Sequence, residues 1–123
     1  MPNNKNGKIY KVVNDIDNYI YIGSTCLALN MRMIYHRKRA KKNDNTNLYK
    51  HMVEIGIYCF KIILIRNVSC NNKEELLREE RIEYDKCDKN ILLNQLRPMV
   101  TDEEKYVEDI YTTSIERHIL KLI

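Results

Sequence analysis

Two phenols, a guanidinium, an imidazole and a run of carboxylates are the side chains in this sequence with chemistry to offer. Tyr10 closes the run Gly7-Lys8-Ile9-Tyr10, and Tyr21 opens Tyr21-Ile22-Gly23. Arg32, His36 and Arg39 follow at i, i+4 and i+7, the spacing of one helix face. Glu74, Glu75, Glu79, Glu80 and Glu83 crowd a later segment, and Asn94 comes after them. Hydrolysis of a phosphodiester needs a group that deprotonates water, a metal ion that neutralises charge and a fixed cation at the phosphate. Side chains of suitable type for each task are present. A phenol has a free pKa of about 10, so it needs a neighbouring cation or a second polar group to act near neutral pH. The planar fork of an arginine grips phosphate oxygens. Mg2+ keeps most of its waters and takes one or two carboxylates, so a single glutamate suffices to anchor it.

These residues must be held by elements that the sequence also marks. Residues 8–13 and 19–22 are aromatic and β-branched, with Asn14-Asp15-Ile16-Asp17-Asn18 between them. Asn and Asp satisfy their own backbone and tolerate turn dihedrals, so the stretch reads as a β-hairpin. Gly23 should end its second strand, and Ser24 or Thr25 should cap a helix over residues 27–40. On that helix Arg32, His36 and Arg39 share one face, and Leu29, Met33 and Ala40 lie on the face assigned to the core. A short helix carrying Leu48, Met52 and Ile55 should stop at Gly56. The β-forming run 57–65 is expected to be a central strand covered on both faces. Asn72 with Glu75 reads as the capping arrangement of a helix over 73–86. A last helix over 102–122 should follow, capped by Thr101 and Glu104, with Val107, Ile110, Tyr111, Ile115, Ile119 and Leu122 roughly on one side.

On its own, a pair of tyrosines on a hairpin is a packed cross-strand pair. The two tyrosine motifs together resemble the signature of the GIY-YIG nuclease family, with Lys8 as one extra residue between the Gly and the Ile-Tyr. The likeness is to stand-alone members of large DNA viruses and phages, and it covers residues 7–98. It implies that the two tyrosines sit on adjacent strands and converge on one scissile phosphate. Tyr10 is then the general base or its equivalent, and Tyr21 supports and positions. Arg32 with His36 matches the family's Arg-x-x-x-His, so Arg32 would hold a phosphate oxygen and His36 would relay a proton. The metal ligand should be a glutamate of the third long helix. Counting forward to Asn94 favours Glu79, whereas helical phase favours Glu80, which Leu76, Leu77 and Tyr84 flank; Glu80 is preferred, with Glu79 the alternative. Asn94 resembles the family's terminal Asn, which supports the site by hydrogen bonds. The resemblance implies Mg2+ as cofactor, with Mn2+ as a substitute.

Composition bounds the reading. With 123 residues, 44% of them hydrophobic and 31% charged, the chain has material for one domain and one core. The net charge of +4 permits a polyanionic partner. Arg37, Arg39, Lys41 and Lys42 end the first long helix, where cations complement the macrodipole and also suit phosphate contacts; His51 is a further candidate DNA contact. There is no apolar run long enough to span a membrane and no apolar stretch at the N-terminus, so an intracellular chain without a secretory signal is expected. The four cysteines, Cys26, Cys59, Cys70 and Cys87, form no C-x-x-C pair and read as reduced thiols.

The expected fold is α/β: a polar tail at 1–6, a three-stranded antiparallel sheet flanked by helices at 7–98, and a helical appendage at 99–123. The expected function is metal-dependent cleavage of DNA, duplex or branched, with weak sequence preference because only one helix follows the core. The rivals are a nucleic-acid-binding module that keeps the fold without turnover, and a protein-interaction module, dimeric or paired with a partner protein, that uses the C-terminal helix.

Overall fold

A computed structural model of the chain describes residues 4–94. The helix expected over 102–122, its capping pair and the partner surface assigned to it lie outside those residues. The elements in order are β1 (Gly7–Asn14), β2 (Tyr21–Thr25), α1 (Leu29–Lys41), α2 (Asn47–Ile55), β3 (Phe60–Val68) and α3 (Lys73–Asp85), with single turns of 3-10 helix at Asn4–Asn6, Ile57–Cys59 and Lys89–Ile91. The strands form one antiparallel sheet in the order β2-β1-β3, so the α/β class expected from the sequence is what the chain adopts.

Alternation along β1 sends consecutive side chains to opposite faces, and both faces are covered. Tyr10 and Val12 pack with Met33 and Ala40 of α1, Leu48, Tyr49 and Met52 of α2, and Phe60 of β3. Ile9, with Ile22 of β2, packs against Leu76 and Tyr84 of α3 and against Cys70. The sheet is thus sandwiched between α1 and α2 on one side and α3 on the other. Ile9, Val12 and Ile22 are almost fully buried, and each such side chain contributes about 1.5–3 kcal/mol by leaving water.

The hairpin loop is built as its composition predicts. Asn14 Oδ1 accepts from the backbone N–H of Ile16 and of Asp17, both at 2.8 Å, and Asp17 Oδ1 accepts from Tyr19 N–H at 3.0 Å. The cap of α3 also forms: Asn72 Oδ1 accepts from Glu75 N–H at 2.9 Å, while Glu75 Oε2 accepts from Asn71 N–H at 2.8 Å. At Gly56 the backbone turns to φ 130°, a conformation suited to glycine, and α2 stops there.

Three expectations are corrected. Strand β2 runs through Gly23 to Thr25 rather than ending at Gly23, because β1 continues to pair with it as far as Lys8 opposite Thr25. Consequently neither Ser24 nor Thr25 caps α1; its N-cap is Ala28, which makes no side-chain cap bond, and Thr25 Oγ1 instead accepts from Leu27 N–H at 3.1 Å. The 57–65 run is not a central strand. Its first three residues form a 3-10 turn, and β3 lies at an edge with Leu64 41% exposed, because β1 takes the middle position.

The opposite edge, β2, is closed by the segment after α3. Ile20 N–H donates to Ile91 C=O at 2.9 Å and Leu93 N–H donates to Ile20 C=O at 2.7 Å. One residue further along, the Asn94 side chain pairs with the Ile22 backbone in both directions, accepting from N–H at 3.0 Å and donating to C=O at 2.8 Å. An amide here substitutes for a neighbouring strand and leaves no bare peptide at Ile22.

Candidate active site

Register determines where the first phenol goes. Tyr10 lies opposite Gly23, and a Cβ built on Gly23 would stand 2.5 Å from Tyr10 Cζ and 2.5 Å from its hydroxyl. Only a residue without a side chain lets the Tyr10 ring lie across β2. The ring is fully buried there. Arg32 Nε donates to Tyr10 Oη at 3.1 Å, and Tyr10 Oη meets His36 Nε2 at 2.8 Å. His36 Nδ1 in turn meets Tyr49 Oη at 2.9 Å.

These partners assign the protons. A guanidinium only donates, so the Tyr10 oxygen accepts from Arg32. The buried Tyr10 hydroxyl, with no other acceptor among the described residues, then gives its own proton to His36 Nε2, whereas Tyr49 on the cavity wall can turn its proton to solvent. A neutral imidazole that accepts at Nε2 carries its proton at Nδ1 and donates it to Tyr49 Oη. His36 is held neutral: burial first, then the charges of Arg32 and Arg39, push its pKa down from 6.5 to about 3. Burial likewise pushes the Tyr10 phenol well above its ordinary range; the neighbouring Tyr21 adds to this and Arg32 opposes it.

A cavity of about 320 Å3 opens beside this chain of bonds. Tyr21 from β2, Arg32 and Arg39 from α1, Glu80 from α3, and Asn94 all stand on its wall. Tyr10 does not; its hydroxyl lies one hydrogen bond behind Arg32. Burial, reinforced by Glu80 and opposed by Arg32, pushes the Tyr21 phenol up to about 12. The Tyr10 and Tyr21 ring centroids are 6.4 Å apart, and both rings set an edge toward His36.

The structure separates the two competing glutamates. Glu80 is buried, and Ser24 Oγ donates to its Oε1 at 2.6 Å. Burial raises its pKa, and the Ser24 bond and the Arg32 charge pull the other way. Glu79 faces Arg66 on β3, with Oε2 at 2.6 Å from a guanidinium nitrogen, and takes no part in the cavity wall. Among the described residues, no three His, Cys, Asp or Glu side chains gather as a metal cage. A lone carboxylate on a cavity wall is a donor set that suits Mg2+, which retains waters, and does not suit an ion that needs a full protein shell.

The basic residues divide among three places. Arg39 reaches the cavity, and it also lines a groove on the outer side of α1 with Lys42. Arg37 and Lys41 surround Tyr58 instead: Lys41 Nζ donates to Tyr58 Oη at 2.7 Å, and Arg37 lies 5.5 Å from the Tyr58 ring and donates to Phe60 C=O. His51 is engaged elsewhere, with Nε2 at 2.8 Å from Asp17 Oδ2 and its ring between Tyr19 and Phe60. It pins the hairpin loop to α2 and does not line the cavity.

Two contributors were not singled out from sequence. Ser24 orients Glu80, and Tyr49 receives the His36 proton while lining the cavity. Ser24 was legible only as a helix cap, since its true role depends on β2 continuing past Gly23. Nothing local marks Tyr49 among nine tyrosines.

Among the described residues, no helix is long and apolar enough to cross a membrane. No family model matches the chain, and no solved structure matches it. Two proteins of Invertebrate iridescent virus 6 are similar to it. "Uncharacterized protein 019R" is 33% identical over 72 residues, which is 58% of this chain and 26% of that protein. "Putative MSV199 domain-containing protein 146R" is 29% identical over 123 residues, which is 95% of this chain and 50% of that protein. The chain therefore spans half or less of the length of the curated relatives it matches.

Proposed function

We propose that this chain is a metal-dependent endonuclease of the GIY-YIG type that hydrolyses DNA phosphodiester bonds, in duplex or branched DNA, inside the cell. The observation that supports this reading is convergence. A phenol from β2, a guanidinium from α1 and a carboxylate from α3, far apart in sequence, line one cavity: Tyr21, Arg32 and Glu80.

In this reading Glu80 would hold Mg2+, or Mn2+ in its place, and Ser24 would fix the orientation of that carboxylate. The bound cation supplies positive charge that screens the phosphate and makes neighbouring water and phenol groups more acidic. Arg32 grips a non-bridging phosphate oxygen with its terminal nitrogens, while Tyr10 Oη holds its Nε and fixes the direction of the fork. Tyr21, the phenol on the cavity wall, would take the proton of the attacking water as its phenolate, its own proton having first passed to solvent in the cavity, so that the resting phenol is regenerated. The role that the family resemblance gives to Tyr10 thus passes to Tyr21 at the cavity surface, and Tyr10 with His36 becomes the support behind it. Asn94 keeps β2, and with it Tyr21, in place through both backbone atoms of Ile22.

The test is nicking of supercoiled plasmid across a Mg2+ and Mn2+ series. The wild type should cleave, EDTA should stop it, and Arg32→Ala should lose about 10²–10³-fold or more in rate, the usual effect of removing a charge-stabilising donor. Full cleavage by folded Arg32→Ala, or cleavage insensitive to EDTA, would remove the mechanism.

A further inference from the structure

Helix α1 carries a cationic groove that continues beyond the cavity. Leu27, Arg32, Tyr35, Lys38, Arg39 and Lys42 line a groove along its outer side. The residues 32, 35, 39 and 42 fall at i, i+3, i+7 and i+10, so the helix period itself lays them in a stripe. Four of the six are cations, and none of those four is paired with a carboxylate among the described residues. Tyr35 is the aromatic residue in the stripe and is 43% exposed, with Lys38 Nζ 6.0 Å from its ring centroid. Leu27, 45% exposed, adds an apolar shoulder.

The position of the groove gives it meaning. Arg32 and Arg39 line both it and the cavity that holds Tyr21 and Glu80, so the two hollows meet at those guanidiniums. A strand whose phosphate sits on Arg32 in the cavity would carry its neighbouring nucleotide onto the groove. Unpaired cations suit the flanking phosphates. An exposed ring between them suits a base, since stacking on an aromatic face is tolerant of base identity. Such stacking needs a free base face, which a continuous duplex does not offer.

We propose that this groove is a subsite for an unpaired nucleotide adjacent to the cleaved bond, with Tyr35 stacking its base and Lys38, Arg39 and Lys42 holding the flanking phosphates. The proposal deepens the nuclease reading and rests on it for the site of the scissile phosphate. It selects single-stranded or branch-point nucleic acid over continuous duplex.

Binding can be measured apart from cleavage. Fluorescence anisotropy in EDTA, with a fluorescein-labelled oligothymidylate and a blunt duplex of equal length as probes, reads affinity with no turnover. The wild type should bind the single strand more tightly than the duplex. Tyr35→Ala should weaken single-strand binding by about 5- to 100-fold, the usual range for one stacking side chain, and leave duplex binding within about two-fold. Tyr35→Phe should restore it. Changing Lys38 and Lys42 together to Gln should reduce the salt dependence of single-strand binding by about 1.4 in log–log slope, the value for two phosphate contacts. A ribo-oligonucleotide bound with the same dependence on Tyr35 would support a site for any unpaired nucleotide. Unchanged binding by Tyr35→Ala, equal loss on both probes, or displacement of the probe by polyglutamate as readily as by DNA would overturn the proposal. So would absence of wild-type binding at low salt. Wild-type binding as described, with no product in Mg2+ or Mn2+, would instead leave the subsite standing and refute the nuclease reading.

Discussion

Tyr10 Oη and His36 Nε2 meet at 2.8 Å in the interior, one on the central strand and the other on the helix laid across it. The contact needs a neutral imidazole, because Tyr10 gives its proton to Nε2 and Arg32 fills the remaining side of the phenol oxygen. A protonated ring would set an N–H against the Tyr10 hydroxyl proton and would face Arg32 and Arg39 as a third positive charge.

Stability should therefore fall in acid. The folded His36 has its pKa lowered from 6.5 to about 3, so between those values the unfolded chain binds a proton that the folded chain does not. Stability should rise with pH through that window, at up to about 1.4 kcal/mol per pH unit from this group alone. Urea unfolding from pH 4 to pH 7 checks it. The wild type should gain stability across the range, and His36→Gln should show a flatter profile. An identical slope in the variant would show that the imidazole is not the group responsible.

Glu80 has the opposite sign. Burial raises its pKa, so its ionised form is disfavoured by folding, and its contribution to stability declines as pH rises past the ordinary carboxylate range. A carboxylate that costs stability is a mark of a functional site. Glu80→Gln should raise Tm at neutral pH while abolishing metal-dependent cleavage. Ser24→Ala should raise the Mg2+ concentration for half-maximal rate by about 10- to 100-fold, as the loss of an orienting partner does, with recovery at high Mg2+. Glu79→Ala removes a half-exposed pair with Arg66, so it should cost no more than about 1 kcal/mol and leave cleavage intact. Loss of cleavage in Glu79→Ala with Glu80→Gln still active would reverse the assignment of the two carboxylates.

Gly23 is a second point where the site and the fold share a constraint. Its missing side chain is where the Tyr10 ring lies, so any Cβ would come within 2.5 Å of that ring and clash with it. Gly23→Ala should destabilise by about 1–3 kcal/mol, the usual cost of an added group in a packed interior, and should lower cleavage by shifting Tyr10 and hence Arg32. Denaturant titration and plasmid nicking on the same protein read both. A variant as stable and active as the wild type would mean that the ring has another place to go.

What the sequence made legible, and what it did not, follows from how far each feature reaches along the chain. The Asn14 and Asp17 turn and the Asn72 cap are local chemistry, and both formed as expected. The joining of Tyr10, Arg32 and His36 was visible through motif order and helix spacing. Helical phase already put Glu80 ahead of Glu79. Two things depended on strand pairing, which no local pattern encodes: the extension of β2 past Gly23 and the edge position of β3. Ser24 illustrates the difficulty. A hydroxyl after a glycine suggests a helix start, yet pairing of Ile9 with Ser24 keeps the residue in the sheet, where its hydroxyl meets Glu80 from α3. The groove beside Tyr35 is half visible in sequence: the basic residues form a run, but the split that sends Arg39 and Lys42 one way and Arg37 and Lys41 toward Tyr58 is a matter of helix rotation against neighbours.

The two tyrosines should respond differently to loss of a single oxygen. Tyr10→Phe leaves Arg32 Nε and His36 Nε2 without their shared partner in a buried setting, which costs about 1–3 kcal/mol for an unsatisfied group. Its effect on cleavage comes through a misdirected Arg32, so rate and stability should fall together. Tyr21→Phe removes a hydroxyl from the cavity wall and leaves the Tyr10–His36–Tyr49 chain complete. It should keep Tm within about a degree or two, as a change away from packed contacts does, and lose cleavage. Thermal melts paired with nicking rates separate the cases. If Tyr21→Phe cleaves normally and Tyr10→Phe is stable but inactive, then the buried phenol is the one that meets water, and the cavity must open further around Arg32 when DNA binds.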